Sequence, residues 1–199
     1  MTAYDVERYV RTLRFAALRH AGQSMPSSTP GLEFPYLVHV TSVTAEVIAV
    51  LPETTFDADL AIGCAPPHDT IEDTTGDESY RAKVALADEI EREFGKPVRD
   101  GVWALTKLAE LADGRRVDKP AQMADSMRRI REQPHEVWAV KLADRITNLA
   151  PPPTRWDRAK CERYQAEAQQ ILEQLGAGCA PLAARLRARI EAYPSTWNR

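Results

Sequence analysis

The sequence is poor in cysteine. Its 199 residues include only Cys64, Cys161 and Cys179, an odd number at wide spacing. A disulfide framework needs paired cysteines, and a thiolate zinc site needs them in close clusters. The sequence gives no sign of either, and we expect the three thiols to be small side chains of the core.

Long apolar runs and a surplus of one charge are also missing. No stretch approaches the roughly 18 apolar residues that predict a transmembrane helix. The N-terminal segment is amphipathic and charged, without the apolar core and small-residue cleavage site of a signal peptide. The formal net charge of −3 gives no electrostatic reason to expect nucleic acid or anionic lipid as a partner. We therefore expect a cytoplasmic protein that acts on a small molecule.

No segment alternates strictly with the period of two that marks a half-buried strand. Helical periodicity recurs instead, as in Tyr9, Leu13 and Ala16, which lie at steps of three and four residues. The sequence predicts an all-α protein of about eight to nine helices. We expect a single domain over residues 1–199, with a catalytic core at about 9–175 and a C-terminal helix at about 181–193.

Three separated segments carry the residues suited to chemistry. His39 stands in PYLVHV, His68 and Asp69 in HDTIED, and Asp144 in WAVKLADRITNL. Each lies on or beside apolar sequence, where an unpaired charge is costly, so burial implies a partner. Two imidazoles and two carboxylates suit a divalent ion such as manganese, iron or zinc.

Taken singly, each segment also has an ordinary structural explanation. His39 could be a hydrogen-bonded core histidine, and Asp144 could simply pair with Lys141 or Arg145. HDTIEDT could cap a helix and favour a turn, because Asp and Thr do both. The conjunction of all three segments in this order favours the metal site.

The motifs HAGQ, PYLVH, HDTIEDT, FG, LTK and VKLADRITNL, in this order, resemble the hydrolase domain of the RelA/SpoT family and the stand-alone small alarmone hydrolases. These are HD-domain metal-dependent phosphohydrolases, and the resemblance extends over roughly residues 9–172. It implies an HD-domain helical bundle that binds one manganese ion and removes the 3′-pyrophosphate of guanosine tetra- or pentaphosphate, (p)ppGpp. The metal ligands that it implies are His39, His68, Asp69 and Asp144.

The resemblance also implies roles for residues beside the ligands. The acidic pair after the HD dipeptide falls on Glu72 and Asp73, which would position water or accept its proton. Asn148 lies four residues after Asp144, on the same helix face, and would offer its amide to the substrate. A further substrate contact that the resemblance implies is Tyr164, which could stack on or bond to the nucleotide. Independently of the resemblance, Lys141 lies three residues before Asp144 on much the same helix face, where it would either neutralise substrate charge or support Asp144.

Two departures from the family pattern concern the substrate. Met25 and Pro26 stand where alarmone hydrolases typically carry an Arg-Lys pair that contacts the nucleotide. The adenine analogue, (p)pApp, thus becomes an alternative to the guanine nucleotide. The spacing between Asp73 and Phe94 is also longer than usual. Basic residues that could serve the phosphates instead are Lys107, Arg115, Arg116 and Lys119.

Pro66 and Pro67 directly precede His68, where related sequences have leucine-like residues inside a helix. Proline lacks the N–H that continues a helix, and each proline restricts the residue before it. Either the helix that starts near Asp57 ends near Cys64 and a new turn holds His68 and Asp69, or one kinked helix continues through the prolines.

Two other functions remain open from the sequence. One is an HD phosphatase for another nucleotide, such as a nucleoside monophosphate or the 2′-phosphate of a nicotinamide cofactor. The other is a catalytically weakened nucleotide-binding regulator, which the prolines and the missing Arg-Lys pair would explain. The chain has no synthetase segment after Tyr193, so we expect a stand-alone hydrolase, either a monomer or a homodimer.

Overall fold

A computed structural model describes residues 4–29, 31–76, 79–153 and 155–197. Within these ranges the chain forms ten α-helices and one short antiparallel hairpin. The helices are α1 (Val6–Arg19), α2 (Leu37–Val50), α3 (Ala58–Cys64), α4 (Thr70–Asp73), α5 (Tyr80–Phe94), α6 (Lys96–Leu105), α7 (Lys119–Arg131), α8 (His135–Asn148), α9 (Arg158–Leu175) and α10 (Ala180–Trp197). The predicted all-α fold is confirmed, although the described residues form slightly more helices than predicted because α4 is a single turn.

Helix α8 is the centre of the bundle. It packs against α2, α3, α9 and α10, and its residues from Val137 to Ile146 are buried except Trp138. An apolar helix that is covered on most sides belongs to the core of a globular protein. A polar side chain on α8, such as Asp144, is therefore held in the interior, where its position is fixed by its neighbours.

The hairpin consists of β1 (Ser24–Pro26) and β2 (Glu33–Pro35), with Met25 opposite Phe34. The sequence did not predict it, because three-residue strands are too short to show an alternating pattern. It lies between α1 and α2, directly before Tyr36 and His39. The hairpin thus places Met25 and Pro26 near the start of α2, the helix that contains His39.

Helix α10 extends to Trp197, beyond the predicted end near Tyr193, and contains Pro194. Proline removes the N–H that would bond to the carbonyl four residues earlier, here that of Ile190. In the structure the Gln165 side-chain amide of α9 donates to that carbonyl at 2.9 Å. The helix can therefore continue past its proline, because a neighbouring helix satisfies the freed oxygen.

Pro66 and Pro67 occupy a tight turn rather than a helix interior. Helix α3 ends at Cys64, and α4 begins at Thr70, so that His68 and Asp69 lie in the connecting turn. The Thr70 amide donates to the Pro67 carbonyl at 2.9 Å, which closes the turn. This is the first of the two backbone arrangements predicted from the sequence, and both prolines are buried in it.

We expect the double substitution Pro66→Leu with Pro67→Leu to lower stability. Leucine would give the unfolded chain more freedom at two positions whose native turn suits proline, at about 0.4–1 kcal/mol each. The free energy of unfolding, measured with urea, should fall by about 1–2 kcal/mol. A higher free energy of unfolding in the double variant would instead show that the prolines strain this turn.

Among the described residues, every helix is too short or too polar to cross a lipid bilayer.

Candidate metal centre

Four side chains from three parts of the chain meet at one point. His39 comes from the first turns of α2, His68 and Asp69 from the turn before α4, and Asp144 from the buried helix α8. The His68 Nε2 atom lies 3.0 Å from Asp69 Oδ2, and His39 Nε2 lies 3.3 Å from the same oxygen. His39 Nε2 lies 3.4 Å from Asp144 Oδ1. The four ligands predicted from the sequence are thus brought together.

The hydrogen bonds on the far sides of the two imidazoles determine where their protons lie. His68 Nδ1 is 2.7 Å from the Ala65 carbonyl oxygen, which can only accept, so this nitrogen carries the proton. The Thr147 hydroxyl donates to the Asp144 carbonyl and can therefore accept from His39 Nδ1 at 3.3 Å. In the neutral rings, both Nε2 atoms are unprotonated, and they face each other at 3.2 Å.

This donor set fits a divalent cation. Two unprotonated imidazole nitrogens facing each other repel unless a shared positive charge lies between them, and fixing the ring through Nδ1 is the usual arrangement for a metal-binding histidine. All four ligand atoms lie within 4.8 Å of one another, as ligands of one ion do. Two nitrogen and two carboxylate oxygen ligands suit manganese, iron or zinc, and no cysteine takes part.

The electrostatics of the centre also favour a cation. Burial opposes ionisation of Asp69, but His68 and His39 hold its pKa well below the ordinary value. Burial likewise opposes ionisation of Asp144, whose pKa is lowered by Lys141 and by the bond to His39. Burial lowers the pKa of His39, yet the two carboxylates outweigh it and raise that pKa to about 10, so without a metal ion a proton on His39 supplies the positive charge that a bound cation would otherwise supply. Two ionised carboxylates in a buried site thus attract positive charge.

Lys141 and Asn148 both contact Asp144. The Lys141 ammonium, on a residue that is 5% exposed, donates to Asp144 Oδ2 at 2.9 Å. The Asn148 amide donates to Asp144 Oδ1. Of the two roles predicted for Lys141, the structure therefore favours support of Asp144 over direct contact with substrate, because its charge is already used inside the core.

Glu72 and Asp73, the acidic pair that follows the ligands His68 and Asp69, lie in different environments. Glu72 accepts from the Lys107 ammonium at 2.7 Å and from the Lys107 backbone amide at 2.9 Å. Asp73 Oδ2 lies 3.0 Å from the Tyr36 hydroxyl. Burial, followed by repulsion from Asp69 and Glu72, raises the pKa of Asp73 to about 6. The negative charge of Glu72 is thus balanced by the ammonium of Lys107, whereas Asp73 is able to exchange a proton near neutral pH.

Tyr36 is a site residue that the sequence analysis missed. Its hydroxyl donates to Asp69 Oδ2 at 2.6 Å as well as contacting Asp73, so it joins a metal ligand to the acidic pair. Its ring stacks on His20, with centroids 4.6 Å apart. Only the position of Tyr36, three residues before His39, could have indicated it, because a tyrosine before an apolar helix is an ordinary feature of sequences.

The HAGQ motif supports the same arrangement from the end of α1. His20 Nδ1 donates to the Gln23 side-chain oxygen at 2.7 Å, and the Gln23 amide donates to the Asp73 carbonyl at 2.9 Å. The motif thus ties the end of α1 to the end of α4. Its role is to hold the acidic turn in place, because neither His20 nor Gln23 is among the four ligands.

One cavity is lined by His39 of the centre, and another is lined by Glu72 of the acidic pair. A cavity of about 220 Å³ has walls formed mainly by apolar and aromatic side chains; the lining residues are Met25, Pro26, Tyr36, His39, Thr147, Asn148, Ala150, Pro151, Pro152, Pro153, Trp156, Tyr164 and Tyr193. We call it the apolar cavity. A second cavity of about 460 Å³ is lined by four basic residues, Lys107, Lys119, Lys160 and Arg163, together with Glu72, Gln122, Met123, Tyr164 and Glu167. We call it the basic cavity.

Tyr164 lines both cavities and so forms part of the wall between them. The Arg145 guanidinium lies over its ring at 4.4 Å, and Trp156 meets it edge-on at 5.1 Å. Of the four basic residues suggested from the sequence for phosphate binding, Lys107 and Lys119 line the basic cavity, whereas Arg115 and Arg116 do not. Lys160 and Arg163 were missed, because on a charged helix they are indistinguishable from solvated surface residues.

A solved structure of a metazoan ortholog of SpoT, which hydrolyses ppGpp and plays a role in starvation responses, matches the chain with a TM-score of 0.71. The match covers 96% of this chain and 97% of that chain at 23% sequence identity. The chain has the fold of this SpoT ortholog. A helical fold of this kind is the one that the motifs predicted, and the predicted resemblance to the RelA/SpoT hydrolase domain is confirmed at the level of the fold.

Sequence comparison finds similarity to part of a much longer protein. A GTP pyrophosphokinase of Myxococcus xanthus is 30% identical over 186 residues, which are 92% of this chain. They are 21% of that relative, so the chain spans about a fifth of its length. No protein-family model matches the chain. The likeness to this relative therefore concerns one segment of a much longer protein.

Proposed function

We propose that the chain is a metal-dependent phosphohydrolase that removes the 3′-pyrophosphate of an alarmone nucleotide, (p)ppGpp or its adenine analogue. The observation that carries the proposal is the convergence of the ligand set His39, His68, Asp69 and Asp144. His39 also lines the apolar cavity, and Glu72, of the acidic pair after the ligands, lines the basic cavity. The likeness in fold to a ppGpp-hydrolysing SpoT ortholog supports it.

His39, His68, Asp69 and Asp144 would hold a divalent cation, for which we propose manganese, and the bound ion would supply polarisation of a phosphoryl oxygen and activation of water. Asp73 is the residue best suited to accept the proton of that water, because its carboxyl has a pKa of about 6 and is adjacent to the ligand Asp69 through Tyr36. Glu72 holds Lys107 at the edge of the basic cavity, where its ammonium can face a phosphate.

The two cavities match the two halves of such a substrate. Four basic side chains line the basic cavity, and phosphate groups are recognised by lysine and arginine. The apolar cavity offers aromatic and proline surfaces to a nucleoside, with Tyr164 in the shared wall and the Asn148 amide at its edge. We infer that the nucleoside occupies the apolar cavity and that its 5′-phosphates extend into the basic cavity.

Activity should depend on pH through Asp73. A general base must be deprotonated, so kcat/KM is expected to rise with pH and to level off above the pKa of about 6. Asp73→Asn keeps the size of the side chain but removes the base, and we expect a loss of about 10²- to 10⁴-fold in kcat together with loss of the acid limb. An Asn variant with the wild-type pH profile would contradict this assignment.

A substrate panel with product identification tests the function. Purified protein with Mn²⁺ should release pyrophosphate from the guanosine or the adenosine alarmone, and a chelator should stop the release. Orthophosphate as product, from a nucleoside monophosphate or a nicotinamide cofactor 2′-phosphate, would select the alternative HD phosphatase. Binding of alarmone without turnover, unaffected by Asp69→Ala, would select a weakened regulatory protein. A cytoplasmic location and a monomeric or homodimeric state stay predictions.

A further inference from the structure

Lys83 is a lysine on the buried face of α5. The residue is 0% exposed. It shares that face with apolar residues at steps of three and four; the buried residues of α5 are Lys83, Leu86, Ala87, Ile90 and Phe94. Lysine is almost never fully buried unless its ammonium has partners, because removing a charged group from water is costly. The position of Lys83 is therefore explained by what its ammonium contacts.

The Lys83 ammonium contacts the end of α4, the single turn that carries the acidic pair. Its Nζ atom donates to the Glu72 carbonyl at 3.1 Å and, at a longer distance of 3.4 Å, to the Ile71 carbonyl. The last carbonyls of a helix have no partner within the helix, and basic side chains often supply one. Lys83 thus caps α4 from a neighbouring helix.

The other two carbonyls of α4 are bonded as well. The Thr70 carbonyl accepts from the Thr74 amide at 3.2 Å and from the Thr74 hydroxyl at 2.7 Å. The Asp73 carbonyl accepts from the Gln23 amide at 2.9 Å. A helix of one turn is unstable on its own, because nucleation of a helix is unfavourable. Helix α4 is therefore held by side chains from outside it, with Lys83 on the side of α5 and Gln23 on the side of α1.

The position of α4 determines where the two carboxylates of the acidic pair lie. The Glu72 carboxylate accepts from the Lys107 ammonium at 2.7 Å, and the Asp73 carboxylate lies 3.0 Å from the Tyr36 hydroxyl. Both contacts require the α4 backbone to stay in place, because these side chains are short. A misplacement of about 1 Å at a reacting group can lower the rate by about 10²-fold.

We propose that Lys83 is a positioning residue of the reaction, whose ammonium fixes the backbone of α4 so that Asp73 and Glu72 face the site. The inference rests on the proposed function, because it takes Asp73 to be the general base. Lys83 lines neither the apolar nor the basic cavity, and it is not one of the four candidate ligands. It therefore acts through the acidic pair and not by contact with the substrate or the metal.

The test is Lys83→Met, with Lys96→Met as the matched control. Methionine keeps an unbranched apolar chain and removes the ammonium. Lys96 is an exposed residue at the start of α6 that pairs with Asp100. We expect Lys83→Met to lower kcat about 10- to 10²-fold and to change KM less than about threefold, because the cavity walls are unchanged. Mn²⁺ should still raise its thermal midpoint, and Lys96→Met should behave as the wild type.

A double-mutant cycle separates positioning from general stabilisation. In an Asp73→Asn background, Lys83→Met should lower kcat by less than about threefold, because the residue that Lys83 positions has already lost its function. Losses that multiply in full would overturn the proposal, as would a folded Lys83→Met with the wild-type kcat. If Lys83→Met is unfolded at the assay temperature, the same cycle is run with Lys83→Gln, which keeps a neutral donor. Unfolding of both variants would overturn the proposal, because Lys83 would then support the whole fold.

Hydrogen exchange separates failure of this inference from failure of the proposed function, because it does not require turnover. The Asp73 and Thr74 amides donate to the carbonyls four residues earlier, and their exchange reports local opening of α4. They should exchange at least about tenfold faster in Lys83→Met and unchanged in Lys96→Met. Faster exchange confined to residues 70–74 supports the positioning role even if no alarmone is hydrolysed. Unchanged exchange at these residues would overturn it even if the alarmone is hydrolysed.

Discussion

Asp69→Ala is expected to abolish pyrophosphate release while leaving the fold intact. Asp69 Oδ2 lies within 3.3 Å of both histidine Nε2 atoms, so its loss removes the oxygen that faces the other ligands most closely. A metal ion contributes several kcal/mol to charge stabilisation in phosphoryl transfer, and we therefore expect kcat to fall by at least about 10³-fold. Mn²⁺ should raise the thermal midpoint of the wild type but not that of the variant, because a ligand stabilises only the state that binds it.

The matched control for Asp69→Ala is Asp88→Ala. Asp88 is an exposed residue of α5 and is not one of the candidate ligands. It should keep both the Mn²⁺-dependent rise in thermal midpoint and the activity. If Asp69→Ala retained the wild-type response to Mn²⁺, the assignment of Asp69 as a ligand would be wrong. If it lost activity only because it unfolded, circular dichroism at the assay temperature would reveal it.

Asp144→Ala is expected to have the largest effect on stability of any single change at the site. The substitution removes the carboxylate that accepts from the Lys141 ammonium at 2.9 Å. Both residues are buried in α8, which is covered by other helices on most sides. Breaking a buried ion pair from one side leaves an uncompensated charge, so the free energy of unfolding should fall by about 3–5 kcal/mol. The measurement is urea denaturation of the metal-free protein.

The double variant Lys141→Met with Asp144→Leu serves as the control. Replacing a buried ion pair by apolar residues of similar volume is often neutral, so most of the lost stability should return. Activity should not return, because the double variant lacks a metal ligand. A change of less than about 1 kcal/mol for Asp144→Ala would show that Lys141 finds another partner, and it would remove the support role from Lys141.

The helical bundle could be predicted from the sequence because its long helices carry clear periodicity. Five of the helices also begin at a residue whose side-chain oxygen accepts from the first backbone amides, as Asp and Ser commonly do. These capping residues are Asp5, Asp57, Ser79, Asp118 and Asp157. The β1–β2 hairpin could not be predicted, because its pairing depends on where α1 and α2 bring the chain ends. The extension of α10 past Pro194 depends on Gln165, a contact between helices that periodicity does not show.

The candidate site likewise contains some residues that the sequence could indicate and others that it could not. His39, His68, Asp69 and Asp144 could be proposed because their motifs are specific in type and order. The partners that fix them could not, because the Ala65 carbonyl and the Thr147 hydroxyl are common groups whose role appears only in three dimensions. Lys141 is the clearest case of a residue whose role the sequence left open. Its spacing from Asp144 allowed either an ion pair or a substrate contact, and burial favours the ion pair.

The prolines before His68 illustrate how local rules and tertiary structure combine. Their effect on the backbone was predictable only as a choice between an ended and a kinked helix, and in the structure α3 ends at Cys64. Whether the ligands would still converge was not, because that depends on how α2 and α8 pack against the turn. In the structure the turn places the His68 and Asp69 side chains against those of His39 and Asp144, so the prolines do not displace the candidate site.

The most direct test of the account is hydrolysis of the alarmone in ¹⁸O-labelled water with Mn²⁺, followed by mass spectrometry of the products. Attack of water on the phosphorus attached to the 3′-oxygen would transfer the label to the leaving pyrophosphate and none to the nucleoside. The account predicts singly labelled pyrophosphate from the wild type and no product from Asp69→Ala or in the presence of chelator. Labelled orthophosphate as the sole product, or no product from the wild type with metal bound, would contradict it.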